Sequence, residues 1–149
     1  MSIVIRALEK RDCPRWLELW QGYLRFYETE LPDEVSANTW QGLRSPNGGH
    51  EGLGALDGAG RLIGFAHILF HGSTWSISDY CYLEDLFVDP DARNQGVGAA
   101  LIAGVEKVAR DRGCTRLYLT TAEQNHVARR LYDQALGPAS FVRYAKAIG

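Results

Sequence analysis

The 149-residue sequence predicts an α/β fold of the mixed-sheet kind, one domain over residues 1–149, with elements in the order β-α-α-β-β-β-α-β-α-β. Three observations predict it. The composition, 46% hydrophobic and 23% charged, matches a soluble domain with a full-sized core. Apolar residues recur at helical spacing in some segments and gather in short β-rich runs in others. From Tyr82 onward, a strand, a glycine-containing turn, an amphipathic helix and a second strand follow one another, the pattern of a right-handed crossover between parallel strands.

Each element has its own reason. Ser2–Ala7 is β-rich and reads as the first strand. Asp12 is placed to cap a helix that carries Pro14 in its permissive first turn and runs to about Tyr27. Trp16, Leu19, Tyr23 and Phe26 recur on one face of it, with Leu17, Trp20 and Leu24 alongside. Leu31-Pro32-Asp33 breaks that helix, and a weaker one follows over Glu34–Leu43. Ser45-Pro46-Asn47-Gly48-Gly49 is a loop by turn chemistry. His50–Leu56, the Asp57-Gly58 turn and Arg61–Phe70 form an antiparallel hairpin. Tyr82–Val88 is a strand stopped by Asp89-Pro90-Asp91, and the next helix aligns Val97, Leu101, Val105 and Val108 before a Gly113 cap. Cys114–Thr121 is a strand, Asn125–Ala135 a helix and Phe141–Ala147 a last strand.

The formal net charge of −2 conceals a division. Residues 1–92 carry 7 basic and 14 acidic side chains, whereas residues 93–149 carry 9 and 4. An acidic front and a basic back suit two ligands of opposite sign. Cys13, Cys81 and Cys114 fall in neither a disulfide nor a metal spacing, which points to a reducing, cytoplasmic setting and no metal. The apolar run at the N-terminus meets Arg6 at once, and no stretch approaches the ~20 apolar residues of a membrane span, so no membrane partner is expected. The basic residues Arg110, Arg112, Arg116, Arg129 and Arg130 are not interleaved with a stacking platform, which argues against nucleic acid.

The turn Arg93-Asn94-Gln95-Gly96-Val97-Gly98-Ala99 enters a helix N-terminus, where unsatisfied amides and the helix dipole favour an anion such as a pyrophosphate. No Lys-Ser/Thr pair follows its last glycine, which excludes a P-loop. Before it stands Leu83-Glu84-Asp85-Leu86-Phe87-Val88-Asp89-Pro90; after the next helix and strand come Asn125 and, seven residues on, Leu131-Tyr132. This ordered set, over about residues 80–135, resembles the GNAT superfamily of acetyl-CoA-dependent N-acetyltransferases. Tyr82–Val88 and Glu123-Gln124-Asn125-His126 are similar to its polyamine, thialysine and histone-type branch. The resemblance implies a splayed central sheet and acetyl-CoA as co-substrate. It places the pantetheine arm along Leu86, Phe87 and Val88, the pyrophosphate on the amides of Arg93–Ala99, Asn125 beside the cofactor and Tyr132 beside the departing sulfur. Asn125 and Tyr132 lie nearly two turns apart on one helix face, so a single ligand can touch both. The resemblance also implies a homodimer. The ending Gln134-Ala135-Leu136-Gly137-Pro138 departs from the family, which continues with two further strands.

Transfer from a thioester needs a neutral amine. With an ordinary amine pKa near ~10.4, neutrality at pH 7 costs roughly 4.6 kcal/mol, so a proton acceptor matters. Glu84 and Asp85 are the candidates. Neighbours on a strand point to opposite faces, and parity alone does not choose between them unless a bulge resets it. The resemblance favours Glu84. His126, second in its helix, is a third candidate, whereas His50, His67 and His71 read as surface or satisfied structural residues. Tyr132 serves as a hydrogen-bond donor to a departing thiolate, not as a strong acid, unless Arg129 or Arg130 lowers its pKa.

The expected activity is acetyl transfer to a primary amine, a small cationic one, drawn in by Asp79, Glu84, Asp85 and the Glu28–Glu34 turn. Two alternatives stand beside it: a protein lysine or N-terminal acetyltransferase, and a non-catalytic acyl-CoA-binding module of the same fold.

Overall fold

A computed structural model describes residues 2–45 and 49–149; the Ser45–Gly49 loop of the sequence reading falls mostly outside the described residues. The strands are β1 (Val4–Ala7), β2 (His50–Leu56), β3 (Leu62–Ser73), β4 (Ser76–Val88) and β5 (Arg116–Tyr118). The helices are α1 (Cys13–Phe26), α2 (Asp33–Arg44), α3 (Val97–Asp111) and α4 (His126–Leu136). The five strands stand in sequence order in one sheet, antiparallel except for the parallel β4–β5 pair. The crossover through α3 thus joins parallel strands, as the sequence predicts.

Two apolar layers sandwich the sheet. On one side Leu101, Ile102, Val105 and Ala109 of α3 pack on Leu53, Ala66, Ile68, Cys81 and Leu83. On the other, Trp16, Leu19 and Trp20 of α1 and Leu43 of α2 cover Phe65, Leu62 and Phe87. Each large side chain buried in this way contributes roughly 1.5–3 kcal/mol. Arg6 fastens β1 to the turn before α1 through Asp12, at 2.7 and 3.1 Å, and Asp12 also accepts the Glu9 amide at 2.7 Å. Burial alone would raise the Asp12 carboxyl, but Arg6 and the Glu9 amide bring it below the ordinary range. Arg15 of α1 pairs with Asp89 at the end of β4, fixing the helix over the site described below.

Three parts of the sequence reading need correction. Phe141–Ala147 is not a strand: residues 138–149 run without regular structure and pair with no strand, so the order ends β-α after α3. The expected strand over Cys114–Thr121 contracts to Arg116–Tyr118, because β5 meets β4 only at Tyr80–Tyr82. The strands read as Arg61–Phe70 and Tyr82–Val88 extend to Ser73 and back to Ser76 and pair with each other as a second hairpin; ladder pairing to a neighbour carries those polar ends where propensity does not.

Candidate active site

The parallel pairing of β4 with β5 stops at Tyr82↔Tyr118, yet β4 continues to Val88. The two strands therefore diverge, and the stretch holding Leu86, Phe87 and Val88 has no β5 partner. This is the splay that the sequence reading expects. Leu86 and Val88 pack toward α3, whereas Phe87 is buried under α1.

A bulge sits at the point of divergence. Opposite β3, Asp85 pairs with His67 and Leu83 with Ile68, so Glu84 is an extra residue with no partner in the ladder. The bulge changes which faces the side chains take. Cys81 and Leu83 belong to the α3 side before it, and Phe87 to the α1 side after it. The expectation that Glu84 and Asp85 point to opposite faces is thereby overturned, since both come to the α1 side. Tyr23 of α1 records this: its hydroxyl is raised first by burial, then by Asp85 as charge and hydrogen-bond acceptor, and also by Glu84. Glu84 is exposed and lies beside the Tyr82 hydroxyl, which burial chiefly raises and which shares a hydrogen bond with Thr120 at 3.1 Å. Asp85 is mostly covered and accepts from His67 at 2.9 Å.

The turn from β4 into α3 exposes its backbone. Asn94 and Gly96 both take the left-handed conformation, with φ of 63° and 80°. Asn tolerates that region better than most residues and glycine takes it freely. Gly96 is the N-cap of α3 and offers no side-chain cap; the Ala100 amide is the first to bond back, to the Gly96 carbonyl at 3.0 Å. The amides of Val97, Gly98 and Ala99 thus have no acceptor within the helix. Val97 anchors the turn in the core, while Arg93, Asn94, Gln95 and Ala99 are exposed. The Arg93 guanidinium lies over Phe26 and Phe87, 5.9 and 5.5 Å from their ring centres, and donates to the Val88 carbonyl at 3.3 Å.

α4 closes the far side. A Cβ on Gly98 would lie 2.9 Å from the Leu131 side chain, which would have to give way. Next to Leu131, the Tyr132 hydroxyl is raised to about 12 by burial and then by Tyr27. Its environment is apolar, and neither Arg129 nor Arg130 lowers it. Asn125 occupies the N-cap position of α4, its side-chain amide 3.4 Å from the Thr121 hydroxyl. His126 begins α4 on the exposed side.

The structure adds residues that the sequence reading does not single out. Tyr23 of α1 and Tyr27 at its C-cap, four residues apart with ring centres 5.0 Å apart, act on the carboxylates' side and on Tyr132 respectively. Their four-residue spacing was the available signal. Tyr82 and Tyr118 stack at 4.8 Å across the β4–β5 pair. The acidic residues Glu28 and Glu30 lie exposed on the turn between α1 and α2, and Asp33 and Glu34 lie exposed in the first turn of α2.

This arrangement has an open strand edge, a helix N-terminus with free amides, a buried hydroxyl and an exposed carboxylate, which suits transfer of an acyl group between two ligands. The family model of the acetyltransferase (GNAT) family matches residues 8–137. The chain is 35% identical over 145 residues to the D-amino-acid N-acetyltransferase of Saccharomyces cerevisiae, covering 97% of this chain and 90% of that protein. It is 31% identical over 142 residues to the thialysine N-epsilon-acetyltransferase of Sus scrofa, covering 88% and 81% respectively. The ribosomal-protein-alanine N-acetyltransferase of Brucella melitensis biovar Abortus 2308 shares the fold, with a TM-score of 0.82 at 24% identity over 99% of this chain and 100% of that one. The chain belongs to the acetyltransferase (GNAT) family and is an N-acetyltransferase that acts on amines.

Proposed function

We propose that this enzyme transfers the acetyl group of acetyl-CoA to a small cationic primary amine, with Glu84 as proton acceptor and Tyr132 as donor to the departing sulfur. The observation that carries the reading is the bulge, which takes Glu84 out of the ladder at the mouth of the β4–β5 splay. The residues present fit a CoA thioester: the left-handed turn at Asn94 and Gly96 leaves uncapped amides for a pyrophosphate, and nothing lies within 4 Å of where a Gly96 Cβ would stand. The Leu86–Val88 edge offers unpaired backbone to a pantetheine amide, and Asn125 stands at the start of α4 on the same side as Tyr132. When bound, the thioester supplies the electrophilic carbonyl and a thiolate leaving group.

The chain's own residues supply the rest. Glu84 takes a proton from the incoming ammonium, directly or through water. Tyr132 keeps its proton because burial raises it, so it donates a hydrogen bond to developing negative charge. Full proton transfer from about 12 to a thiol near ~8.5 would be uphill by about 5 kcal/mol, which keeps its role to donation. The enzyme works as a cytoplasmic homodimer of single N-acetyltransferase domains.

The relatives' substrates, a D-amino acid and thialysine, both present a primary amine and support that acceptor class. The test is thiol release from acetyl-CoA with thialysine, D-phenylalanine, putrescine, an aminoglycoside and a lysine peptide. Turnover of the small amines above the peptide is expected, with kcat reduced about 10²-fold or more in Glu84→Gln. Undiminished turnover in that variant removes Glu84 as the base.

A further inference from the structure

Of the two buried polar residues among the described ones, Asp12 is held by Arg6 and the Glu9 amide, and His67 has no part in this mechanism. His67 is 2% exposed on β3, its ring stacked on Phe65 at 4.5 Å and flanked by Trp16 and Trp20. Its two nitrogens have different partners. Trp16, itself 1% exposed, donates its indole N–H to Nε2 at 3.0 Å, and Nδ1 lies 2.9 Å from the Asp85 carboxylate. An indole nitrogen can only donate and a carboxylate can only accept. Nε2 therefore carries no proton, and Nδ1 carries one and gives it to Asp85. The ring is an uncharged, oriented donor to that carboxylate.

We propose that His67 is a positioning residue for the acetyl acceptor: locked as the Nδ1–H tautomer by Trp16, it holds the Asp85 carboxylate as a fixed seat for the acceptor's ammonium, beside Glu84. This rests on the acyltransferase reading above. The bulge puts both carboxylates on one side, and an ammonium has three N–H donors to divide between them. Asp85, tethered from behind, accepts one and fixes the nitrogen; Glu84, exposed and outside the ladder, removes another. The N–H kept by Asp85 then orients the lone pair left by the departed proton. Packing between Phe65, Trp16 and Trp20 needs only a flat ring; the two ring nitrogens of His67 serve the Trp16 N–H and the Asp85 carboxylate.

The test uses the full chain. Long-range ¹⁵N–¹H correlation should find His67 protonated at Nδ1 alone near neutral pH; a proton on Nε2, or on both nitrogens, overturns the proposal. In steady-state assays with thialysine or putrescine as acceptor probe, His67→Phe should raise the amine KM about tenfold or more, with kcat within about threefold and the acetyl-CoA KM unchanged. His67→Gln, which keeps both an acceptor for Trp16 and a donor for Asp85, should restore the amine KM to within about threefold. An unchanged amine KM in folded His67→Phe, or equal losses in both variants, overturns it. Should His67→Phe not fold, Asp85→Asn decides by the same amine-specific rise in KM, and an unchanged value overturns the proposal. No thiol release by the wild type with any amine defeats the acyltransferase reading, and this proposal with it, a failure distinct from a missing KM effect.

Discussion

Tyr132 shows how one side chain's surroundings limit its chemistry. Burial, then the Tyr27 hydroxyl, raises it to about 12, and the protonated form is the one that donates. A raised tyrosine stays protonated as pH climbs, so its contribution is complete at neutral pH and is lost only near the raised value. Tyr132→Phe should therefore lower kcat roughly 10–100-fold while leaving acetyl-CoA affinity within about threefold, as read by turnover and calorimetry. It should also leave the shape of the kcat–pH profile unchanged up to about pH 10.5; an alkaline inflection below that pH which vanishes in the variant would refute the donor role. Tyr132 and Glu84 could be put forward from the sequence because ordered local motifs carry them. The side to which Asp85 turns was not legible there, since it depends on the register of β3 against β4. His67 was still less so: its partners stand 51 residues before it and 18 after it, and no window along the chain holds all three.

Among the elements, the β4–α3 turn joins backbone conformation to ligand binding most directly. Gly96 has a φ of 80° and open space where a Cβ would stand, so an added methyl group meets no atom and the cost is backbone strain alone, about 1 kcal/mol. Gly96→Ala should lower stability by about that amount in urea unfolding, yet raise the acetyl-CoA KM several-fold by turning the amides of the first helical turn. A variant with the full stability loss and an unchanged acetyl-CoA KM would show that the turn serves packing only. The order of elements up to α4 was readable from periodicity and turn chemistry. The last strand was not, because Phe141–Ala147 has β-type composition but no neighbour in the sheet to pair with. Composition records what a segment suits, whereas a strand also needs a partner.

At the scale of the molecule, the charge division between front and back is partly consumed by pairing. Lys107 bonds Asp111 and Arg110 bonds Glu106 within α3, at 2.7 and 3.0 Å, and Arg112 reaches across to Glu51 at 2.8 Å. In the turn that would receive the pyrophosphate, Arg93 is the one basic side chain, so backbone amides and the helix dipole carry more of that site than net charge suggests. The apolar surface is distributed as unevenly. Phe141, Val142, Tyr144 and Ile148 are between 81% and 94% exposed, on a segment that lies beyond α4 and pairs with no strand. So many large apolar side chains close together on one exposed segment mark an interaction surface rather than ordinary scatter. A second copy of the chain would cover them in the proposed homodimer, and the outer sides of β1 and β5 are the strand edges of the sheet. Light scattering at micromolar concentration should give twice the chain's mass. Paired Phe141→Asp and Tyr144→Asp substitutions should return it to the monomer while far-ultraviolet circular dichroism stays unchanged. A wild type that is monomeric at these concentrations, or a doubly substituted chain that still dimerises, rules this segment out as the contact.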